Sequence, residues 1–439
     1  MTDTAGASAS GRGLARRRRR RWVRWTGLVV AVVVVVAAGV GWALYAKLDG
    51  NITSDEAAAA ELARYEKDRP TTLVRGARNI LLIGSDSRSG DGNRRYGRDS
   101  GTERSDTTIL LHLAAGRRSA TAMSLPRDLM VDVPGCRRPD GTRSEPMFAM
   151  FSHAFQVGGS ACTIRTVEKL TNIRVDHHVV VDFHGFKDMV DAVDGVEVCL
   201  KKPIHDKAAK LRLPAGRVTL NGEQALGFVR ARKSLGDGSD TDRMDRQQRF
   251  LGALANKVRD NDVLLNPVKL YPVLDAATSS LTTDPGLASL RGLYELVRGL
   301  RDIPTERVQF LTVPRESYVY DANRDQLVEP EAERLFERLR VDAPIEVAKA
   351  VPEGDRRDSA AKSRNSAEDA QKNDENSPMG IGDDSPAQSY DYSEYAYQDS
   401  SGDPYDDEKA GGKRPGEPSA TLSPAPTFRG NTAAEDTCE

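Results

Sequence analysis

The sequence predicts a membrane-anchored α/β domain followed by a disordered tail. Three observations support this fold class: an uncharged apolar segment near the N-terminus, alternating strand-like and helix-like patterns in the middle of the chain, and a change of composition from Val351 onward. In full, we expect a layered α/β/α sandwich around a central mixed β-sheet, with an N-terminal transmembrane helix and a disordered C-terminal tail.

The first predicted element is a transmembrane helix over residues 25–46. No charge lies between Arg24 and Lys47, and a helix over this segment is about 33 Å long, enough to cross a bilayer. The alternative is a cleaved signal peptide, whose apolar region is shorter, about 7–15 residues, and leads to a small-residue cleavage site. Residues 1–24 carry eight arginines. The positive-inside rule therefore predicts a single-pass membrane protein with a cytoplasmic N-terminus and an extracytoplasmic domain. A basic run can also bind nucleic acid, but beside a membrane span it indicates topology, so we expect no nucleic-acid partner.

The middle of the chain reads as a juxtamembrane linker over residues 47–75 and one α/β domain over residues 76–345. Residues 351–439 hold 20 acidic and 9 basic residues and few large apolar ones, so we expect a disordered acidic tail. Predicted strands cover residues 79–83, 107–113, 120–125, 178–183, 196–200 and 308–313; predicted helices cover 163–170, 185–193, 222–232, 243–259, 287–300 and 329–339.

Four cysteines fit an oxidising compartment. Cys136 and Cys162 lie in loop-like sequence on either side of a predicted helix, and we expect a disulfide between them, although sequence alone does not fix connectivity. Cys199, inside VEVCL, is predicted to be a buried strand cysteine, and Cys438 a free thiol of the tail.

Five short stretches combine Arg, Asp and Ser with neighbouring apolar runs. Singly, such a stretch is ordinarily a solvated loop. Several of them begin or end a predicted strand, and loops of this kind gather along one edge of an open α/β sheet, where ligands bind. The stretches are GSDSR (84–88), RSDTTILL (104–111), SLPRD (124–128), FVRARK (228–233) and SDTDRMDRQQ (239–248).

The last stretch predicts a helix with a polar face. Arg243, Arg246 and Gln247 stand at i, i+3 and i+4 and share that face. The alternative is an ordinary surface helix stabilised by ion pairs between residues four apart. Those pairs are Asp242 with Arg246 and Asp245 with Arg249.

Ion pairs within the helix leave Arg230 and Arg232 unexplained. Guanidinium groups that converge from several segments match the oxygens of a phosphate or diphosphate. Asp86 and Asp106 would lie beside them, which makes chemical sense if Mg²⁺ links the carboxylates to phosphate oxygens. The residues therefore predict a magnesium–diphosphate site.

Other chemistries have less support. The spacing of GSDS is not that of the G-x-S-x-G nucleophile elbow, and no P-loop or H-E-x-x-H motif occurs. The pair His177–His178 lacks the further ligand spacing of a zinc site.

Six successive segments resemble the motifs of LytR-CpsA-Psr proteins, the actinobacterial type in particular, which are membrane-anchored extracytoplasmic enzymes. The resemblance covers about residues 76–260. One departure is Ser152, which stands where the family often has Asn. The segments are NILLIGSDSR, RSDTTILLHL, AMSLPRDLMVDVPG, TVEKLTNIRVDHHVVVDFHGFKDMVDAVDGVEV, LNGEQALGFVRARK and SDTDRMDRQQRFL.

The resemblance implies an α/β sandwich with an apolar lipid pocket and assigns roles to residues matched by motif. It implies a catalytic group at the predicted strand ends, Mg²⁺ on two carboxylates, and a diphosphate held by arginines and a glutamine, with Asp128 near the site. The catalytic residues would be Asp86, Arg88, Asp106 and Arg127; the metal ligands Asp86 and Asp106; and the diphosphate-binding residues Arg104, Arg127, Arg230, Arg232, Arg243 and Gln247.

The implied activity is transfer of a glycopolymer, such as a teichoic acid, teichuronic acid or arabinogalactan, from a polyprenyl-diphosphate carrier to peptidoglycan. The C6 hydroxyl of a muramic acid residue would attack the phosphorus nearest the polymer, and polyprenyl phosphate would leave. Two alternatives stay open: a polyprenyl-diphosphate hydrolase that uses water as the acceptor, and a non-enzymatic lipid-binding scaffold of the envelope.

Overall fold

The structure is a computed structural model of the 439-residue chain, and it describes residues 11–85, 105–207, 209, 211–231, 240–259, 267–348 and 427–435. All elements given below belong to one unit, which joins Met1–Ala350 to Pro426–Glu439.

Helices and strands alternate along the described part of the chain. The helices are α1 (Gly11–Asn51), α2 (Glu56–Arg64), α3 (Ser152–Thr171), α4 (Phe183–Ala192), α5 (Gly222–Arg230), α6 (Asp240–Arg259), α7 (Pro267–Ser280), α8 (Leu290–Arg301) and α9 (Glu331–Arg340). The strands are β1 (Thr53–Ser54), β2 (Arg78–Ser85), β3 (Ser105–Leu113), β4 (Ala120–Leu125), β5 (Met130–Val133), β6 (Met147–Met150), β7 (His177–Val181), β8 (Val196–Leu200), β9 (Ile204–Asp206), β10 (Leu211–Leu213), β11 (Gly216–Leu220), β12 (Leu281–Thr283), β13 (Val308–Thr312), β14 (Arg315–Tyr318), β15 (Asp321–Leu327), β16 (Glu346–Ala348) and β17 (Thr427–Thr432).

Within the described residues, nine strands form the central sheet in the order β1–β12–β7–β2–β3–β4–β13–β17–β16. The pairs β1–β12, β7–β2, β4–β13 and β17–β16 are parallel, and the other neighbours are antiparallel. The predicted mixed sheet is confirmed. Four two-stranded pairs, β5–β6, β8–β11, β9–β10 and β14–β15, surround it.

Helices cover both faces of this sheet because successive side chains of its central strands point to opposite sides. On β2, Leu81 and Ile83 pack into a core shared with α3 and α9. Ile80 packs with Val179 and Leu287 into a second core, against which α8 lies. The predicted α/β/α layering is therefore confirmed.

Helix α3 begins at Ser152, ahead of the predicted start, and it is kinked at two glycines. Gly159 has φ of +58°, and a Cβ on Gly158 would lie 2.8 Å from the carbonyl oxygen of Arg137. The sequence predicts a helix only from residue 163, whereas the helix begins ahead of these glycines, kinks there and continues.

The segment 47–75 packs with the domain and is more than the linker that the sequence predicts. Its strand β1 pairs with β12, and Ala58 and Leu62 of α2 lie in the first core. The guanidinium of Arg69 binds the buried carboxylate of Glu168, with Nη2 2.7 Å from Oε1.

Helix α1 contains the predicted transmembrane segment. Arg24–Asn51 is long and apolar enough to cross a membrane, with a mean hydropathy of 2.6, and none of that apolar window is buried. These properties indicate a membrane anchor, while its orientation stays a prediction. At the end of α1, the ammonium of Lys47 lies 3.0 Å from a carboxylate oxygen of Asp275 on α7.

The predicted disulfide between Cys136 and Cys162 is confirmed, with the two Cα atoms 5.6 Å apart. Cys199 lies on a strand, β8, as predicted, but it is only half-buried and is itself disulfide-bonded. Cys438 lies outside the described residues.

The predicted tail over residues 351–439 does not hold at its C-terminal end. Residues 427–432 form β17, which pairs with β13 and β16, and Phe428 is buried in the first core. Residues 349–426 lie outside the described part of the chain. The strand was missed because TFRGNT has no apolar alternation and depends on its neighbours for pairing.

Asp55 connects the start of the domain to β7. Its carboxylate accepts from the N–H of Ala58 at 3.0 Å, as the cap of α2, and contacts Nε2 of the buried His178 at 3.2 Å. Burial raises the pKa of Asp55, but the hydrogen bonds to His178 and Ala58 outweigh it and hold the pKa below its ordinary 3.8.

We expect Asp55→Asn to lower the free energy of unfolding at pH 7 by about 1–2 kcal/mol, because asparagine still caps a helix but loses the charged hydrogen bond. The stability from a depressed carboxyl pKa is present above the unfolded-state pKa and is lost as pH falls through the folded-state pKa. Denaturant unfolding of the detergent-solubilised protein should therefore show a difference from wild type that shrinks below pH 3.8. A difference that stays constant under acid conditions would contradict the role given to the charge.

Candidate functional site

An apolar cavity of about 450 Å³ lies between the central sheet and helices α4, α5 and α6. Its walls are aliphatic and aromatic side chains of these helices, together with strand residues such as Leu82 and Ile109. The apolar lining residues of the helices are Phe183, Phe186 and Met189 of α4, Leu226 and Val229 of α5, and Phe250, Leu251 and Leu254 of α6.

Charged and polar side chains line the same cavity. Three of its residues follow or begin strands of the sheet, and three come from α5 and α6. They are Asp106, Arg127 and Asp182 from the sheet, and Arg230, Arg243 and Gln247 from the helices.

Strand directions explain why the sheet residues meet. Strands β2 and β7 are parallel, so both end at the same edge of the sheet. Strand β3 runs antiparallel to β2 and begins at that edge, where Ser105 pairs with Ser85, and β4 runs antiparallel to β3 and ends there. Residues just after β4 and β7, and just inside β3, are therefore brought together.

Arg127 is held between two carboxylates. Its Nη1 lies 2.8 Å from Oδ1 of Asp106, and its Nε lies 3.2 Å from Oδ2 of Asp128. Burial lowers the pKa of Arg127, but the carboxylates of Asp128 and Asp106 more than offset it and raise the pKa above its ordinary value. About a quarter of the Arg127 side chain is exposed, so its cationic head is both fixed in place and accessible.

Helices α5 and α6 are joined at the cavity. The guanidinium of Arg230 lies over the ring of Phe183, with Cζ 4.3 Å from the ring centre. Gln247 donates from Nε2 to the carbonyl oxygen of Val229 at 3.2 Å, and Arg246 donates to the carbonyl of Ala231. These contacts fix the end of α5 against the first turns of α6.

A buried amide connects α6 to the sheet. Nε2 of Gln248 donates to Oγ of Ser124 at 3.2 Å and to Oγ1 of Thr312 at 3.0 Å. The position of α6, and with it that of Arg243 and Gln247, is therefore set by β4 and β13.

The surface-helix alternative for α6 includes an ion pair between Asp245 and Arg249, and the structure pairs Asp245 differently. Asp245 binds Arg429 of β17, with Nη2 3.0 Å from Oδ2. Its partner therefore comes from a distant part of the chain, and the expected pairing with Arg249 is replaced. The side chain of Asp242 lies outside the described residues.

Five of the predicted site residues line one cavity: Asp106, Arg127, Arg230, Arg243 and Gln247. Asp128 is next to them through Arg127, and the backbone N–H of Ser152 donates to the carbonyl of Arg127 at 3.0 Å. Asp86, Arg88, Arg104 and Arg232 lie outside the described residues.

Sequence reasoning did not single out Asp182, which also lines the cavity. Its carboxylate caps α4 by accepting from the N–H of Gly185 at 2.8 Å. The predicted strand over residues 178–183 includes Asp182, whereas the strand ends at Val181 and leaves this acid at the edge where β2 also ends.

The described residues include one predicted metal ligand, Asp106, and no group of three or more His, Cys, Asp or Glu side chains that would hold a metal by themselves. Mg²⁺ is commonly bound through one or two carboxylates together with phosphate oxygens and waters. A carboxylate that lines the cavity and pairs with Arg127, as that of Asp106 does, fits this mode of binding.

Comparison with known proteins gives a consistent result. A family model described as the LytR_cpsA_psr family matches residues 48–340. Cell wall biosynthesis protein LcpA of Corynebacterium glutamicum is 33% identical over 65% of the chain, and the probable cell wall biosynthesis protein LcpB of the same organism is 35% identical over 64%. The matches span 58% and 66% of these two relatives, which is less than two thirds of either.

A third relative is a Bacillus subtilis protein named polyisoprenyl-teichoic acid–peptidoglycan teichoic acid transferase TagT. It is 28% identical over 72% of the chain and 95% of its own length. A crystal structure of a Streptococcus agalactiae protein aligns with a TM-score of 0.50 at 22% identity, over 61% of the chain and 88% of that protein. At this level of identity, the structural likeness shows the fold alone.

We expect the cavity to bind the chain of a long-chain phosphate. Met189→Trp adds bulk to the cavity wall and should weaken the binding of decyl phosphate by about tenfold or more, since apolar contact is lost. Calorimetric titration of the protein in nanodiscs, with empty nanodiscs as the blank, would measure the affinity.

Val297→Trp is the matched control, because Val297 lies on α8, outside the cavity, and is 50% exposed. Equal weakening by both substitutions would contradict binding in the cavity.

Proposed function

The chain belongs to the LytR_cpsA_psr family, and from this premise we propose that it is a phosphotransferase of cell-wall assembly. It transfers a glycopolymer from a polyprenyl-diphosphate carrier to the C6 hydroxyl of a muramic acid residue in peptidoglycan. Relatives named for cell wall biosynthesis and for teichoic acid transfer to peptidoglycan support the class of reaction.

One observation carries the proposal: the cavity combines an apolar lining with a cluster of arginines, and such a carrier combines an apolar chain with a diphosphate. The aromatic and aliphatic walls suit a polyprenyl chain, which gains free energy when apolar surface leaves water. The carrier also has a negatively charged diphosphate, which needs cationic and hydrogen-bonding partners. The cavity offers four such side chains: Arg127, Arg230, Arg243 and Gln247. Apolar walls alone would fit many lipids, whereas the arginines select a phosphorylated one.

The proposed reaction is a displacement at phosphorus. The acceptor hydroxyl attacks the phosphorus nearest the first sugar of the polymer, so one P–O bond forms. The bond from that phosphorus to the bridging oxygen breaks, and polyprenyl phosphate leaves with the electron pair. The hydroxyl proton passes to a carboxylate, for which Asp106 and Asp182 are the candidates among the described residues that line the cavity.

Positioning and charge neutralisation are the main requirements of phosphoryl transfer. Arg127 is already oriented by Asp106 and Asp128, and Arg230 is oriented by the Phe183 ring. Groups that are fixed before the substrate arrives need little reorganisation as charge develops.

We propose that Mg²⁺ binds through Asp106, with Asp86 as the second carboxylate predicted from the sequence. When bound, the ion would neutralise negative charge on the diphosphate. We also propose that the N-terminus is cytoplasmic and that the domain acts outside the membrane, where the acceptor lies.

We expect Arg230→Ala to lower the rate of transfer by about 10²-fold, because a guanidinium that neutralises developing charge is removed. The assay would follow label from a short synthetic polyprenyl-diphosphate glycan onto purified peptidoglycan, using the full chain in nanodiscs. Asp106→Ala should reduce transfer as well and should weaken the dependence on Mg²⁺.

Arg291→Ala serves as the control, since this arginine of α8 is 82% exposed and pairs only with Glu295 among the described contacts. Wild-type transfer by Arg230→Ala would contradict the assignment of the site. Release of soluble glycan phosphate without transfer would indicate the hydrolase, and binding without turnover would indicate the scaffold.

A further inference from the structure

The β14–β15 hairpin exposes aromatic side chains close to the site. Val319 and Tyr320 form its tip and are 71% and 84% exposed, and Phe148 on the neighbouring strand β6 is 56% exposed. The ring centres of Phe148 and Tyr318 lie 6.1 Å apart, and those of Tyr318 and Tyr320 lie 5.4 Å apart. We call Phe148, Tyr318, Val319 and Tyr320 the aromatic patch.

Such a tip is unusual, because hairpin turns ordinarily carry Gly, Asn, Asp or Ser. A contiguous exposed apolar patch on a soluble domain commonly marks a binding surface. Its position here is fixed by hydrogen bonds within the hairpin: Nε2 of Gln326 donates to Oε1 of Glu316 at 2.8 Å, and the N–H of Asn323 donates to Oδ1 of Asp321 at 2.9 Å. The rings are therefore presented on an ordered support.

Strand β15 of the hairpin is connected to the site by a series of ion pairs that begins at Arg324. Nη1 of Arg324 lies 3.7 Å from Oδ1 of Asp128, whose other oxygen binds Arg127, and Arg127 binds Asp106. The N–H of Asp325 donates to the carbonyl oxygen of Asp128 at 3.1 Å. Arg324 stands three positions after Asp321, the residue that follows the tip, which is about 10 Å along a strand.

We propose that the aromatic patch binds the glycan strand of the peptidoglycan acceptor, an inference that rests on the proposed function. Sugar rings have apolar C–H faces and hydroxyl edges. Tyrosine offers the complementary combination, a flat apolar ring with a polar hydroxyl, at a low cost in conformational entropy. Glu316 and Asp321 beside the patch add hydrogen-bond acceptors for hydroxyl groups and disfavour an anionic lipid surface.

Two features favour the acceptor over the glycan of the donor. In an in-line displacement the acceptor approaches the phosphorus from the side opposite the leaving group. The leaving polyprenyl phosphate occupies the cavity, whereas the patch lies beyond Arg127 and Asp128, and none of its residues lines that cavity. An open surface also suits a polymer that is part of a large wall, since such a polymer cannot enter a closed pocket.

The test measures transfer by the full chain in nanodiscs while donor and peptidoglycan concentrations are varied separately. We expect Tyr320→Ala and Phe148→Ala each to raise the half-saturating concentration of peptidoglycan by about fivefold to tenfold. The maximal rate and the half-saturating donor concentration should change less than twofold. Tyr320→Phe, which keeps the ring and loses only the hydroxyl, should raise the half-saturating peptidoglycan concentration less than Tyr320→Ala does. Tyr294→Ala on α8 is the matched control, because Tyr294 is 61% exposed and lies outside the patch.

Direct sedimentation with purified peptidoglycan, without donor, separates this proposal from the proposed function. Binding that Tyr320→Ala weakens, in a protein that transfers nothing, would support the patch and overturn the phosphotransferase. Transfer with unchanged acceptor saturation in both patch variants would overturn the patch and leave the phosphotransferase standing. A rise in the half-saturating donor concentration alone would also overturn the proposal, since it would place the donor glycan on the patch.

Discussion

The pairing of Arg127 with Asp106 and Asp128 is the interaction on which the geometry of the site depends. One guanidinium spans the start of β3 and the end of β4, so it joins neighbouring strands at the edge where the cavity is lined by charge. Because two carboxylates orient it, the arginine keeps its position and its charge in a partly buried setting. Through Arg324, the same group of charges also reaches the β14–β15 hairpin.

The second constraint is the position of α6. This helix lies against the sheet through Gln248 and against the end of α5 through Gln247 and Arg246. Its apolar residues line the cavity, and so do its polar residues Arg243 and Gln247. A single helix therefore contributes to both the apolar and the polar lining of the cavity, and changes in its packing alter the two together.

Much of the sheet could be predicted, because its strands are short apolar runs bounded by polar loops. Residues 120–125 and 196–200 were predicted with the bounds that the structure has. The meeting of Asp106 and Arg127 also followed from the sequence, since strand ends share an edge. Asp182 could not be singled out in this way, because an acid before a helix is ordinarily only a cap. The strand at 427–432 depends on pairing with distant partners, which leaves no local pattern.

The placement of β17 has a consequence for how the domain matures. It lies between β13 and β16 although residues 349–426 separate it from β16 in the chain. Synthesis from the N-terminus delivers this strand after every other strand of the sheet. Until then the edge of β13 has no partner on that side and can pair with other chains. Arrival of β17 closes that edge and brings Arg429 to Asp245 on α6. Completion of the chain and final positioning of the helix that carries Arg243 therefore coincide, and a chain truncated before this strand leaves the β13 edge unpaired.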